Sequence, residues 1–230
     1  MSASPDDGQN EGKVEGIDAR FAPARVFPHI RSRLSFALDP APADLLLSDP
    51  VIDSEDDGAT VFPPATGTRA AAVLVGLVAH QGGVSVLLTE RAASLRLHAG
   101  QIAFPGGKIE PQDETPAAAA LREAEEEIGL APAHIEPLGY LDPYVTGTGF
   151  RVIPVVARIE PPFSLRLHPG EVADAFEAPF AFLMDASNHS FDSRTFGGRL
   201  RRFYAMPYGD RYIWGATAGI LRKLYERLYS

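Results

Sequence analysis

The chain has no cysteine, which excludes disulfides, thiolate nucleophiles and Cys-ligated zinc or iron–sulfur centres. It also lacks any run approaching the roughly 18 consecutive apolar residues that a membrane helix needs. Basic charge is in deficit: 21 Lys and Arg against 30 Asp and Glu give a net charge of −9 and a pI near 5.1. That balance opposes long-range attraction to nucleic acid or to an anionic membrane, so neither is expected as a partner. Phosphorylated small molecules stay accessible through local Arg, Lys or metal. Met1 to Gly16 carries Asp6, Asp7, Glu11 and Glu15 without an apolar centre or an Arg-rich pattern. It reads as the tail of a cytoplasmic protein, not as a leader.

What is present suits one globular domain with some decoration: 230 residues, 45% hydrophobic and 22% charged. Residues 1–25 read as a flexible acidic tail, 26–68 as an N-terminal helix and linker packing on the main domain, and 69–230 as that domain. Val26, Ile30, Leu34 and Leu38 recur every fourth position, predicting a short amphipathic helix with Pro28 near its start. Asp49 to Thr68 mixes acids, Gly and Pro and reads as linker. Ala70 to Ala79 and Val84 to Thr89, separated by Gly82-Gly83, predict a hairpin of buried strands. Phe150 to Ile159 predicts a third strand, with Pro154 marking a bulge or an edge. Ile220, Leu221, Leu224, Tyr225 and Leu228 predict a final packed helix, with Tyr212 joining that packing and Trp214 in the core.

The most informative element is a helix over Ala117 to Leu130. Thr115 can cap it, Pro116 suits its first position and Gly129 lies near its end. At 100° per residue, Ala117, Leu121, Ala124 and Ile128 share an apolar stripe, while Glu123, Glu126 and Glu127 cluster on the opposite side and Glu125 falls outside them. Three carboxylates on one face repel one another. Two readings stand: a solvated acidic face partly balanced by Arg122, or a site for a hard cation such as Mg²⁺ or Mn²⁺. The preceding Phe104-Pro105-Gly106-Gly107-Lys108 favours the second, because paired glycines allow a sharp turn or a close approach whose exposed carbonyls can join a cation's shell.

Read together, Gly107, Glu114 and Arg122-Glu123-Ala124-Glu125-Glu126-Glu127-Ile128-Gly129-Leu130 resemble the Nudix box: Gly, five residues, Glu, seven residues, then Arg-Glu-apolar-any-Glu-Glu-any-Gly-apolar. One departure is a spacing of six residues, not five, between Gly107 and Glu114. Either the loop carries an extra residue or Asp113 takes the first acidic position. Leu87-Leu88-Thr89-Glu90-Arg91-Ala92, Arg96, Gly100 and Phe104 to Gly107 are similar, spacing included, to the extended signature of the coenzyme A pyrophosphatases, a subgroup in which the same insertion is typical. The resemblance runs from about Arg69 to the C-terminus, including Trp214-Gly215-Ala216-Thr217-Ala218-Gly219.

The resemblance implies an α/β/α sandwich around a mixed β-sheet, with Glu123, Glu126 and Glu127 holding Mg²⁺ or Mn²⁺ and the Gly107 carbonyl contributing. It implies that Arg122 orients the carboxylates and that Glu126 and Glu127 serve the chemistry. A general base from outside the box is expected, and Glu171 is the candidate, against the alternative that it begins a helix from Glu171 to Phe176. Arg91 and Arg96 are candidates for substrate phosphates, since guanidinium forks bind phosphate bidentately, against a surface role. Gln101 and Phe104 are candidates for the nucleotide or pantetheine arm, and His98 contacts phosphate or finishes a loop. The expected reaction is hydrolysis of coenzyme A or acyl-CoA to 3′,5′-ADP and (acyl-)4′-phosphopantetheine. Alternatives are another nucleoside diphosphate derivative, such as ADP-ribose, or a non-catalytic nucleotide-sensing module. The oligomeric state is left open, a homodimer included.

Overall fold

The computed structural model describes residues 19–38, 69–95, 97–146, 149–196 and 199–230. Most of the expected tail, the expected linker and Arg96 lie outside the described residues. In chain order the elements are α1 (Pro23–Arg33), β1 (Arg69–His80), β2 (Gly83–Arg91), β3 (Ile102–Ala103), β4 (Gly106–Lys108) and α2 (Pro116–Ile128). Then follow β5 (Ile135–Tyr140), β6 (Tyr144–Val145), β7 (Phe150–Ile159), β8 (Val172–Pro179) and α3 (Phe180–Leu183). The chain closes with β9 (Ser190–Phe196), β10 (Arg199–Tyr208), β11 (Arg211–Trp214) and α4 (Ala216–Tyr229).

The first two strands explain the rest. β1 and β2 pair antiparallel only near their turn, from His80↔Gly83 to Leu77↔Val86, and then part. β7 runs parallel along the whole of β1's other edge, and β8 occupies β2's other edge. The fork left between β1 and β2 is filled by β4 against β1 and by β3 against β2. Phe104-Pro105 spans the fork, the Pro105 carbonyl accepting from Leu74 N at 2.8 Å.

Both faces of this mixed sheet are covered, which is why the strands read as nearly continuous apolar runs. Alternation sorts them. Ala71, Val75 and Leu77 of β1, with Val152 and Val156 of β7, face one core shared with α1, α3, α4 and the smaller β9–β10–β11 sheet. Ala72, Leu74 and Val78, with Val155, Ala157 and Ile159, face a second core built on α2. The result is an α/β/α sandwich.

Several expectations change. The first helix is shorter and earlier than Val26 to Leu38: Pro23 starts it, and Leu34 is already extended, after which Ser35 bridges to Tyr140. Pro154 lies in a strand paired on both sides, at neither an edge nor a shift in the β1 pairing. Its carbonyl accepts from Leu141 N, so its missing N–H faces the gap between β5 and β6, where no ladder bond is lost. Glu171 to Phe176 is not helical: Val172–Pro179 is strand, because β2 offers an open edge. Tyr212 belongs to β11, where its hydroxyl donates to Asp192 at 2.5 Å, and not to the final helix packing. Trp214 is partly exposed and packs against Phe203, with ring centroids 4.9 Å apart and planes inclined at 54°. Among the described residues no helix is long and apolar enough to cross a membrane.

α4 is seated by a close contact at Gly219, where a β-carbon would stand 2.5 Å from both Cε2 and Oη of the buried Tyr144. A rigid ring held in a packed core has little room to yield. Gly219→Ala should therefore lower the unfolding free energy by about 1–3 kcal/mol, read from the denaturant midpoint; an unchanged midpoint would show that the ring moves freely.

Candidate active site

α2 is positioned by its ends and by one buried face. The Thr115 side chain accepts from Ala118 N, Pro116 opens the helix and Gly129 closes it at φ 68°. The face turned to the sheet carries Ala119, Ala120, Ala124, Glu127 and Ile128. At 100° per residue its centre lies about 70° from that of the predicted stripe. The three glutamates are therefore not all opposite the core: Glu127 is buried at 6% exposure, the Glu123 side chain is largely covered and the Glu126 side chain is 59% exposed. The roll buries Ala119, Ala120, Ala124 and Ile128, and Gly106 gives Glu127 a partner inside, its N–H donating to Glu127 Oε2 at 3.1 Å.

The paired glycines are required by contact. A β-carbon on Gly106, at φ 151°, would meet the Ala72 carbonyl at 2.4 Å, and one on Gly107 would stand 2.5 Å from the Glu123 carboxyl carbon. β4 thus lies against β1 on one side and the acidic helix on the other.

Arg122 gathers the surrounding acids. Its Nε and Nη2 donate to the two oxygens of Asp113 at 3.1 and 3.0 Å, and Nη1 donates to both Glu123 and Glu126 at 3.0 Å. Nη2 also reaches the Lys108 carbonyl at 3.1 Å. Of the two acids considered for the first acidic position, Asp113, with its side chain 4% exposed, is the one that pairs with Arg122, while Glu114 is exposed. The hydrogen bond from Arg122, aided by one from the Glu110 N–H, holds the Asp113 carboxyl below the usual range.

Burial pushes the Glu123 carboxyl up, opposed by Arg122. It pushes Glu127 up further, to about 7; the Gly106 N–H opposes this, the nearby charges of Glu123 and Glu171 add to it, and Arg91 counters them. Glu171 and Arg91 therefore both stand near the box carboxylates. Glu171 sits in the turn before β8, half-exposed, with its carbonyl accepting from Ala92 N at 2.8 Å and its carboxylate 4.0 Å from His168. Among the described residues, no three His, Asp or Glu side chains already form a metal-ready cluster. Glu126 is turned to Arg122 and Glu127 to Gly106.

The remaining candidates separate. Gln101 lies in the loop beside Arg91, its carbonyl accepting from Arg91 N at 3.0 Å and its side chain 2.9 Å from His98 Nδ1. Phe104, a candidate for the substrate arm, is buried at 5% exposure in the core with Ile102 and Ile213. Sequence reasoning missed the carboxylate–arginine contacts of Glu90, Asp174 and Arg211 behind the site. No local motif marks them, since they join three strands distant in sequence.

A family model for the NUDIX domain matches residues 67–195, more than half of the chain. The chain belongs to the Nudix hydrolase family and is a pyrophosphohydrolase acting on a nucleoside diphosphate derivative. It is 39% identical over 160 residues to an uncharacterized Nudix hydrolase, NudL, of Photorhabdus laumondii, covering 70% of this chain and 85% of that one. NudL of Escherichia coli strain K12 is 42% identical over 157 residues, 68% of this chain and 81% of its own. Among solved structures, the Nudix hydrolase RenU of Mycobacterium smegmatis is similar with a TM-score of 0.43 at 25% identity, over 57% of this chain and 79% of that one.

Two predictions follow from this geometry. Asp113→Asn should lower kcat by about tenfold, the scale of one lost charge-assisted hydrogen bond, while Glu114→Gln stays within about twofold; the reverse ranking would return the first acidic position to Glu114. Glu127 binds its proton more tightly folded, near 7, than at the ordinary 4.5. Its contribution to stability is thus full below about pH 4.5 and lost as the pH rises through 7. In EDTA, wild type should lose on the order of 3 kcal/mol more than Glu127→Gln over that window, seen as Tm–pH curves that run together at low pH and separate as the pH rises; parallel curves would contradict it.

Proposed function

We propose that the protein hydrolyses the pyrophosphate bond of coenzyme A or acyl-CoA, giving 3′,5′-ADP and (acyl-)4′-phosphopantetheine. The observation that carries this reading is the segment Leu87 to Gly107. It resembles the coenzyme A pyrophosphatase signature, and it folds so that Arg91 lies near Glu127 while Gly106 and Gly107 abut the same helix.

Enzymes of this family generally use divalent metal ions, and the residues present suit Mg²⁺ or Mn²⁺. The donors are hard oxygens, the missing β-carbon at Gly107 leaves the Glu123 carboxylate approachable, and a dication would offset both the burial that raises Glu127 and the added repulsion from Glu123 and Glu171. Glu123, Glu126 and Glu127 would hold the ion, with the Gly107 carbonyl. Glu126 is held away only by an exposed ion pair of a kind worth about 0–1 kcal/mol, so it is free to turn. When bound, such an ion neutralises charge on the pyrophosphate and lowers the pKa of an attacking water.

The chain's own residues supply the rest. Arg122, fixed by Asp113, orients Glu123 and Glu126. Glu171, half-exposed beside the buried carboxylates, takes the proton of the attacking water as its oxygen bonds to phosphorus and the bridging P–O bond breaks. Arg91 offers its guanidinium to a substrate phosphate. Gln101, whose carbonyl accepts from Arg91 N, is the candidate donor to the nucleotide. Arg96 belongs to this set by its place in the signature.

The test is product analysis after incubation with coenzyme A and Mg²⁺ or Mn²⁺. The expected result is 3′,5′-ADP, abolished by EDTA and reduced at least about a hundredfold in Glu126→Gln or Glu127→Gln. Intact coenzyme A alongside turnover of ADP-ribose would overturn the substrate assignment. Nucleotide binding without turnover of any such substrate would favour a sensing module.

A further inference from the structure

Behind the carboxylate site, on the opposite face of the sheet, Arg211 of β11 makes an unusual set of contacts. Its guanidinium carbon stacks 3.8 Å from the Phe176 ring centroid, Nη2 donates to Asp174 Oδ2 at 2.6 Å and Nη1 lies 3.5 Å from Glu90 Oε2, an ion pair without a hydrogen bond. The side chain is only 25% exposed. It thus joins the second sheet to two strands of the first.

The place it joins is the one irregularity in the β2–β8 pairing. Glu90 faces Asp174 but Arg91 faces Val172, so Ala173 has no partner and β8 bulges there. A bulge disrupts the ladder locally and re-aims the side chains beside it. Two proposed site residues lie nearby. Arg91 follows Glu90 directly, and by alternation its side chain leaves the sheet on the α2 side, with Leu87. Glu171 precedes β8, and its backbone is held without Arg211 by the Ala92 N–H, which donates to its carbonyl at 2.8 Å. The Nε of Arg91 is buried without a hydrogen-bond partner, so its direction is not fixed by contacts of that atom.

We propose that Arg211 is a positioning residue. By clamping Glu90 and Asp174 on the far face, it fixes the bulge and so aims Arg91 at the substrate phosphate. This rests on the role given to Arg91 under the proposed function. The chemistry of the clamp is specific: a planar guanidinium stacks on Phe176 while its fork faces two carboxylates, which an ammonium cannot reproduce in full.

The experiment is a double-mutant cycle in the full-length protein, with steady-state kinetics on coenzyme A in Mg²⁺ and Tm recorded for each variant. Arg211→Met keeps much of the apolar packing and removes the fork. It should raise KM about tenfold with kcat within about twofold. The same substitution in an Arg91→Ala background should change KM by less than about twofold, because the aimed group is gone. Arg211→Lys, which retains the charge near Asp174, should fall between and serves if the Met variant does not fold. Equal KM increases in both backgrounds, or a loss of kcat with KM unchanged, would overturn the clamp. If wild type leaves coenzyme A intact, the substrate assignment has failed instead. The cycle then uses whichever nucleoside diphosphate derivative the wild type hydrolyses, and additivity there overturns the clamp independently.

Discussion

Gly107 lies so close to α2 that a β-carbon would collide with the Glu123 carboxylate, and this contact sets the spacing between strand and helix for the whole site. β4 is held against β1 by its own ladder, with Gly106 approaching the Ala72 carbonyl too closely for any side chain. The helix can then come near enough for the Gly106 N–H to reach Glu127. Any larger residue at either position would separate the acidic helix from the sheet, and Glu127 would lose the one hydrogen bond that offsets part of its burial. A buried carboxylate without such a bond is costly, so glycine spacing and helix roll are one constraint.

That constraint creates an electrostatic problem, which Arg122 solves in part. Its guanidinium faces Asp113, Glu123 and Glu126 together, so one cation is shared among three acids. Glu127 is outside its reach and is left with Gly106 and the more distant Arg91. The charges of Glu123 and Glu171 both act on Glu127 and add to the rise that its burial begins. A protein of net charge −9 can therefore handle a pyrophosphate only if positive charge is concentrated locally, and a dication at these carboxylates does this without a basic surface.

Elements whose pattern is local were legible in the sequence. α2 could be read from Thr115, Pro116 and Gly129 because capping is decided within a turn, and the β1–β2 hairpin from two apolar runs around glycines. The order of box residues was legible for the same reason. What resisted reading depends on tertiary partners. The roll of α2 buries Ala119 and Ala120 and brings Glu127 to Gly106, and apolar periodicity alone aimed the stripe too far round. Glu171 to Phe176 became strand because β2 had a free edge, not through its own propensity. Asp113 rather than Glu114 pairs with Arg122, which reaches back nine residues, a distance no helical period describes. The three-stranded sheet, with its clamp on Asp174 and Glu90, lay beyond any motif.

The mixed sheet also explains how residues on its two faces become coupled. Alternation sends Glu90 to one side and Arg91 to the other, so holding either restricts the backbone that carries both. In a regular ladder that restriction is already supplied by neighbouring hydrogen bonds, and an added clamp changes little. At a bulge the ladder is interrupted, and the orientation of the next side chain depends on whatever else fixes the strand. Here that is Arg211, brought in by β11 and backed by α4, whose Thr217 hydroxyl donates to the Ile102 carbonyl of β3 at 2.8 Å. The C-terminal sheet and helix thus do more than cover a core: they brace the strand end from which Arg91 projects, at a point where the β2–β8 pairing is interrupted.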